Sequence, residues 1–257
     1  MKIGLLLSVR EKATRLPEKV LKKIANKSVT EHLISRLKMV DNVDQVIIST
    51  STDVRDDVFE DIALSTGVDI FRGSKNDKLL RYLQTANKFD LDAVIIVDGD
   101  DLLCFPEFIA DISSTLRDDK RSDVIFVQGL PLGAASSGIR KKALEKVIQL
   151  KDEENTEVWG GYFTTGNMFK VRYLQAKGIF RNPHIRMTLD YSEDLHFFEA
   201  VFDNLYVKNK KFSSYDVMDL LVNRHPEICH MTTNAQKKYE KHIMSAPRVK
   251  FKEKKDQ

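Results

Sequence analysis

Cations crowd the stretch from Arg10 to Leu21, REKATRLPEKVL, directly after an apolar run, IGLLLS, that ends at Ser8. Arginine offers phosphate oxygens a planar fork of donors, and lysine offers them a compact point charge. Pro17 fixes its own φ and drives Leu16 toward an extended conformation, so Arg15 and Lys19 flank a stiff turn and can be held at set positions. A unit charge pair about 4 Å apart contributes roughly 4 kcal/mol at an effective dielectric near 20, so two or three such contacts can hold a polyphosphate. The same residues could also form an ordinary charged surface loop, and no glycine-rich dinucleotide or Walker-type loop accompanies them.

Carboxylates form a second group. Asp98, Asp100 and Asp101 close a third apolar run in IIVDGDDLL, where Gly99 permits a turn. Clustered like charges must be exposed, paired or bound to a cation. Hard oxygen donors suit Mg²⁺, while the competing reading is an acidic turn that caps the next helix. In RMTLDYSEDL, Thr188 to Asp190 reads as an extended end and Ser192 as the cap of a helix. Asp194 then lies in the first turn, where the helix dipole favours a negative charge, and Asp190 is freer to act as a second metal ligand. Two turns add polar groups. Arg72, Gly73 and Ser74 join an extended segment to a helix in FRGSKNDKLLRY, and Thr165, Gly166 and Asn167 form a tight turn in GGYFTTGNMFKV. Arg186 is either a clamp for a carboxylate or phosphate or a member of a surface ion pair. His225 and His230 have no metal-ligand spacing around them and read as structural.

The elements that must position these groups alternate. Ile3 to Ser8, Val46 to Thr50, Ala93 to Asp100 and Asp123 to Gly129 are continuous apolar runs, the pattern of strands buried on both faces. Between them lie helical patterns: SVTEHLISRLKMV with a Ser28–Glu31 capping box, DKLLRYLQTANKF, and SEDLHFFEAVF. Strands alternating with helices predict an α/β fold with a mostly parallel central sheet flanked by helices, and such folds take ligands at the carboxyl ends of their strands. Arg10, Arg15 and Lys19 leave the first strand at that edge.

The chain of 257 residues is long enough for one such domain, taken here as 1–246 with an embellishment around 130–185 and a flexible basic tail at 247–257. That tail region accounts for the whole formal charge of +3, so the rest is neutral, which argues against a nucleic-acid partner. No apolar run approaches the roughly 20 residues needed to cross a bilayer. The first residues turn polar too early for a signal peptide, and a cytoplasmic location is expected. Cys104 and Cys229 have no pairing or zinc pattern and are expected as reduced thiols.

Together these motifs resemble the cytidylyltransferases that activate sugars as CMP conjugates, particularly the 3-deoxy-manno-octulosonate and spore-coat polysaccharide cytidylyltransferases. The TRLPEK segment, VTEHLISRL, FRGSKNDKLLRY, DGDDLL, LDYSEDL and FSSYDVMDLLVNRHPEI occur in the family's order across nearly the whole chain. The resemblance implies a GT-A-like, Rossmann-like nucleotidyltransferase that uses CTP and Mg²⁺ and transfers CMP to an acceptor, releasing pyrophosphate. By motif position, Arg10, Arg15 and Lys19 hold the triphosphate, with Arg15 and Lys19 stabilising the departing charge. Ser49 and Arg72 to Ser74 lie near the cytidine, and Asp100 and Asp190 hold the metal. A polar pocket around Thr165, Gly166, Asn167 and Arg186 takes the acceptor, an acidic sugar, an aminosugar derivative or a small phosphate or phosphonate. Relatives are often homodimers. Glu11, Lys12 and Ala13 replace small residues of the family loop, and Glu18 stands where glycine is usual. Two other readings fit parts of the pattern: a GT-A glycosyltransferase using Asp98-Gly99-Asp100 as a DxD motif, and a relative that binds nucleotide without turnover.

Overall fold

A computed structural model describes residues 1–207, 209–244 and 249–252. In chain order the elements are β1 (Ile3–Ser8), β2 (Lys23–Ile24), β3 (Lys27–Ser28), α1 (Val29–Leu37), β4 (Gln45–Ser51), α2 (Val58–Thr66), β5 (Asp69–Gly73), α3 (Lys78–Lys88) and β6 (Ala93–Asp98). There follow α4 (Pro106–Asp118), β7 (Val124–Gln128), β8 (Ser137–Arg140), α5 (Lys141–Leu150), α6 (Gly161–Thr164), β9 (Val171–Gln175), α7 (Ser192–Leu205), α8 (Ser214–Asp219) and α9 (Thr233–Met244).

Seven strands form one sheet in the order β5-β4-β1-β6-β8-β7-β9, with β2 and β3 making a separate hairpin. Every pairing in the sheet is parallel except those of β8, which runs antiparallel to both β6 and β7. Both faces are covered. Ile3, Leu5 and Leu7 of β1 join one apolar cluster with α1, α4 and α7, while Leu6 joins the other with α3 and α5. Burying side chains of this size contributes about 1.5–3 kcal/mol each, which explains why these runs are continuously apolar.

The capping box forms as the sequence indicates: Ser28 Oγ accepts from Glu31 N at 3.2 Å, and Ser28 N donates to Glu31 Oε2 at 2.8 Å. The expected cap at Ser192 does not. Ser192 is already helical, and its hydroxyl donates to Glu193 instead. Asp194 instead satisfies the amides of the two residues that lead into α7, its Oδ2 accepting from Asp190 N at 2.8 Å and Tyr191 N at 2.9 Å.

The third strand also ends earlier than expected. Asp98 closes β6, and Asp101 N donates back to Asp98 O at 3.0 Å to form the turn. A Cβ on Gly99 would stand 2.8 Å from Val9 Cγ2, so glycine is needed there for the close approach of the β1 and β6 ends. The C-terminal stretch is docked where it is described. Phe251 forms an antiparallel bridge with Lys151, and its ring meets Tyr162 edge-on at 5.5 Å. The remainder of the proposed 247–257 tail lies outside the described residues.

Candidate active site

Ser8 and Asp98 are register partners at the carboxyl ends of adjacent strands, so the basic loop after β1 and the acidic turn after β6 emerge side by side. Between them lies a cavity of about 420 Å³. Its wall carries Arg10, Lys12, Arg15, Lys19, Lys78 and Arg81 against Asp98, Asp100, Glu157 and Asp190, a surplus of two positive charges among Lys, Arg, Asp and Glu.

Lys19 lies at the centre of this wall. Its Nζ donates to Asp100 Oδ2 at 2.6 Å and to Asp190 Oδ1 at 2.9 Å. Burial opposes the ammonium charge, but the two carboxylates outweigh it and raise the Lys19 pKa above its ordinary value. Burial likewise works to raise Asp190, and Lys19, Arg15 and Arg186 overcome it to hold that carboxyl below its ordinary range. Lys19 opens a short 3₁₀ turn, Lys19–Leu21, reached through Glu18 at φ 53°. Glu18 thus adopts the left-handed conformation for which glycine is best suited. Leu189 N donates to Asp100 O at 2.9 Å and keeps the two aspartate segments together.

Arg15 Nη2 donates to Asp190 Oδ1 at 2.5 Å, whereas its buried Nη1 has no partner among the described residues. Arg10 donates to Glu157 at 2.5 Å and to the carbonyl of Lys75 at 2.6 Å. The structure therefore brings together Arg10, Arg15, Lys19, Asp100 and Asp190 as the sequence reading groups them.

Two important cations escaped that reading. Lys78 and Arg81 lie on the first turns of α3, whose regular apolar pattern drew attention to its leucines. Lys78 Nζ donates to Asp98 Oδ1 at 2.8 Å. Burial disfavours its charge, but Asp98, together with Tyr82 and Glu157, raises its pKa well above the ordinary value. Arg81 is fully buried, bonds the carbonyl of Ser74 through Nη1, and leaves Nε and Nη2 without partners among the described residues. The available signal is that residues 78, 81, 82 and 85 follow helical spacing and place lysine, arginine, tyrosine and threonine on a buried face.

The loop carrying Glu157 and Asn155 into the cavity was also read only as polar. It is pinned from behind: Lys151 Nζ pairs with Asp77 at 2.5 Å, and the fully buried Thr156 donates to Asp77 Oδ1 at 2.8 Å. The negative charge on Glu157 is opposed by burial but stabilised more strongly by Lys78, Arg10 and Arg81, so its pKa falls.

Other expected site residues lie off the cavity wall. Ser49 is fully buried, with its hydroxyl 3.0 Å from that of Thr85. Arg72 turns toward Asp57 and Glu60, at 2.5 and 2.7 Å, because those acids project from the neighbouring helical segments. Gly73 ends β5, and Ser74 supports the site indirectly through the carbonyl that holds Arg81. Thr165, Gly166 and Asn167 form an exposed turn away from the cavity lining.

Arg186 is not an available clamp. Its buried guanidinium donates to both oxygens of Asp194 at 2.8 and 2.9 Å and to Asp190 Oδ2 at 3.2 Å, with only 2% of its side chain exposed. Its geometry supports Asp190 from behind, because two adjacent carboxylates are better partners than solvent at this depth.

The donor set can accommodate a magnesium ion. Asp100 and Asp190 converge within reach of one ammonium, and Mg²⁺ commonly takes one or two carboxylates together with phosphate oxygens and water. No cluster of three or more His, Cys, Asp or Glu suited to a metal occurs among the described residues. Asp101 is unsuited to completing one, because burial and the charges of Asp100 and Asp98 push its carboxyl well upward toward the neutral form.

Comparisons with known proteins agree with this architecture. The chain is 27% identical over 244 residues to an uncharacterized protein of Methanocaldococcus jannaschii, covering 93% of this chain and 97% of that protein. It is 26% identical over 231 residues to the spore coat polysaccharide biosynthesis protein SpsF of Bacillus subtilis, covering 86% and 94% respectively. A cytidylyltransferase from Leptospira borgpetersenii shares the fold with a TM-score of 0.82 at 24% identity, over 89% of this chain and 97% of that one. A CMP:2-keto-3-deoxy-manno-octonic acid synthetase complexed with CTP gives 0.64 at 16%, over 79% and 99%. The family model described as "Cytidylyltransferase" matches residues 5–242, and this chain belongs to that family.

Proposed function

We propose that the protein transfers CMP from CTP to an acidic sugar or sugar derivative and releases pyrophosphate. The observation that carries this reading is the convergence of Arg15 and Lys19 on Asp100 and Asp190 beside three guanidinium nitrogens, on Arg15 and Arg81, that have no partner among the described residues. Buried donors without partners cost about 1–3 kcal/mol each, so a ligand rich in acceptor oxygens relieves them. The surplus of two positive charges also matches the roughly two net negative charges of a metal-bound triphosphate.

The acceptor hydroxyl oxygen attacks the α-phosphorus in line and releases its proton to solvent, a new O–P bond forms, and the bond to the β-phosphate oxygen breaks with pyrophosphate taking the electron pair. Arg10, Arg15 and Lys19 orient the triphosphate and stabilise the charge that develops on the leaving group. Asp100 and Asp190 would hold Mg²⁺, which supplies further neutralisation of phosphate charge. Lys19 and Arg15 must then transfer part of their bonding from the two aspartates to phosphate oxygens. Arg81 and Lys78, on the first turn of α3, line the same wall, and the donors of Arg81 that lack partners among the described residues suit acceptor oxygens of the bound nucleotide. The names of SpsF and the octonic acid synthetase support a sugar acceptor, and the cationic wall favours an acidic one.

Thermal unfolding with CTP, ATP, GTP or UTP, each with and without Mg²⁺, tests the nucleotide assignment. Ligand at about 100 times its dissociation constant adds about 2.7 kcal/mol of stability. A metal-dependent shift selective for CTP is expected. No shift with any triphosphate in a folded sample refutes the reading.

A further inference from the structure

On the α1 and α7 side of the sheet, a second cavity of about 190 Å³ has an apolar floor of the buried Leu102, Phe202 and Phe212, and the exposed Met39 also lines it. A space near 150 Å³ suffices for a benzene-sized body, so this one accepts a ring or a short branched chain. Among the described residues, its lining contains Arg36, Lys27, Lys210 and Lys211 and no acidic residue.

The buried Arg36 gives this cavity chemical character. Nε donates to Cys104 O at 2.6 Å, Nη1 to Phe212 O at 3.2 Å and Nη2 to Ser214 Oγ at 3.2 Å, so its hydrogen bonds go to neutral oxygens. It is only 6% exposed, and it forms no ion pair among the described residues. Glu107 and Asp216 influence its charge, but Glu107 reaches it through the Ser214 hydroxyl, and Asp216 is engaged by the amide and hydroxyl of Ser213. Lys27, Lys210 and Lys211 add three exposed cations at the rim, none of them in an ion pair within the described residues. A buried cation whose hydrogen bonds all go to neutral oxygens is costly, even with the carboxylates of Glu107 and Asp216 nearby.

We propose that this cavity binds a free small molecule with one carboxylate on a ring-sized apolar body, separately from the nucleotide cleft. The apolar part fills the floor, and the carboxylate faces the lysine rim under the field of Arg36. A long-chain lipid is a poorer match because the cavity holds only a ring-sized body. This assignment does not depend on the identity of the acceptor or nucleotide.

The test uses 3-phenylpropionate, with 3-phenylpropanol and 3-phenylpropylamine as neutral and cationic controls. Binding to the full chain is measured by ligand-observed NMR and thermal unfolding at fixed ionic strength, in the absence and presence of the nucleotide that stabilises the protein most. Saturable binding of the carboxylate is expected, about tenfold or more tighter than either control and retained with nucleotide present. Lys210→Glu/Lys211→Glu, which changes only exposed side chains, should weaken it about tenfold or more. Met39→Trp should block it by filling the cavity. Equal binding of alcohol and carboxylate, insensitivity to both variants, displacement by nucleotide or absence of saturable binding would each overturn the proposal.

Discussion

Asp194→Asn offers a stringent test of how the site is held together. The substitution keeps the shape of the side chain and one acceptor oxygen, but it removes the charge opposite Arg186 and turns an amide N–H₂ toward guanidinium donors. Both side chains are buried, at 2% exposure for Arg186 and 0% for Asp194. Breaking a pair at such depth costs about 3–5 kcal/mol, because the remaining charge stays buried. Asp190 still contacts Arg186, but at 3.2 Å and while engaged by Arg15 and Lys19, so it can offset only part of the loss. For a chain of this size the cost corresponds to a fall in Tm of roughly 6–20 °C. Urea unfolding followed by circular dichroism measures the loss, and pyrophosphate release from CTP measures the accompanying fall in turnover as Asp190 loses its support. Arg186→Met/Asp194→Asn removes both charges and should regain most of the stability while turnover stays low. A single-variant cost below about 1 kcal/mol, or a double variant no more stable than the single, refutes the buried-pair argument.

The remaining tests address separate parts of the site. Lys19→Ala and Asp100→Ala should each lower turnover by on the order of 10²-fold, as expected for loss of a transition-state stabiliser, and near-normal rates in both would remove these residues from the mechanism. Arg81→Met should weaken CTP binding roughly ten- to a hundredfold, by calorimetry, without lowering the stability of the free protein, because it removes unpartnered buried donors. Unchanged affinity with reduced stability would make Arg81 purely structural. Asp101→Asn tests the upward shift of that carboxyl. A raised acid pKa in the folded state favours folding fully below the unfolded value near 3.9, and the benefit is lost as pH rises through the folded value. Asp101→Asn should therefore be more stable than wild type at pH 8 by a larger margin than at pH 4, and an identical difference at both pH values would contradict the assignment.

The contrast between Lys19 and Arg81 shows which parts of this protein are legible in its sequence. Lys19 follows a strand, sits beside a proline and belongs to a contiguous motif, so local patterning exposes it. Arg81 becomes a site residue only because the turn around Ser74 and the first turns of α3 meet the ends of β1 and β6 in three dimensions. The strands show the same division. β1, β4, β6 and β7 are apolar because both faces are covered, whereas β8, SGIR, leaves little hydrophobic trace because Gly138 must fit closely against Ile112. Asp190 was accessible as a motif residue, but the role of Arg186 behind it was not. An arginine four residues before an aspartate is compatible with a surface pair, a ligand clamp or a buried support. Only the depth of Asp194 and its bonds to the two backbone amides favour the last. The chemical groups facing a ligand are thus written largely in local motifs, while the groups that fix their charge and position depend on contacts among distant segments.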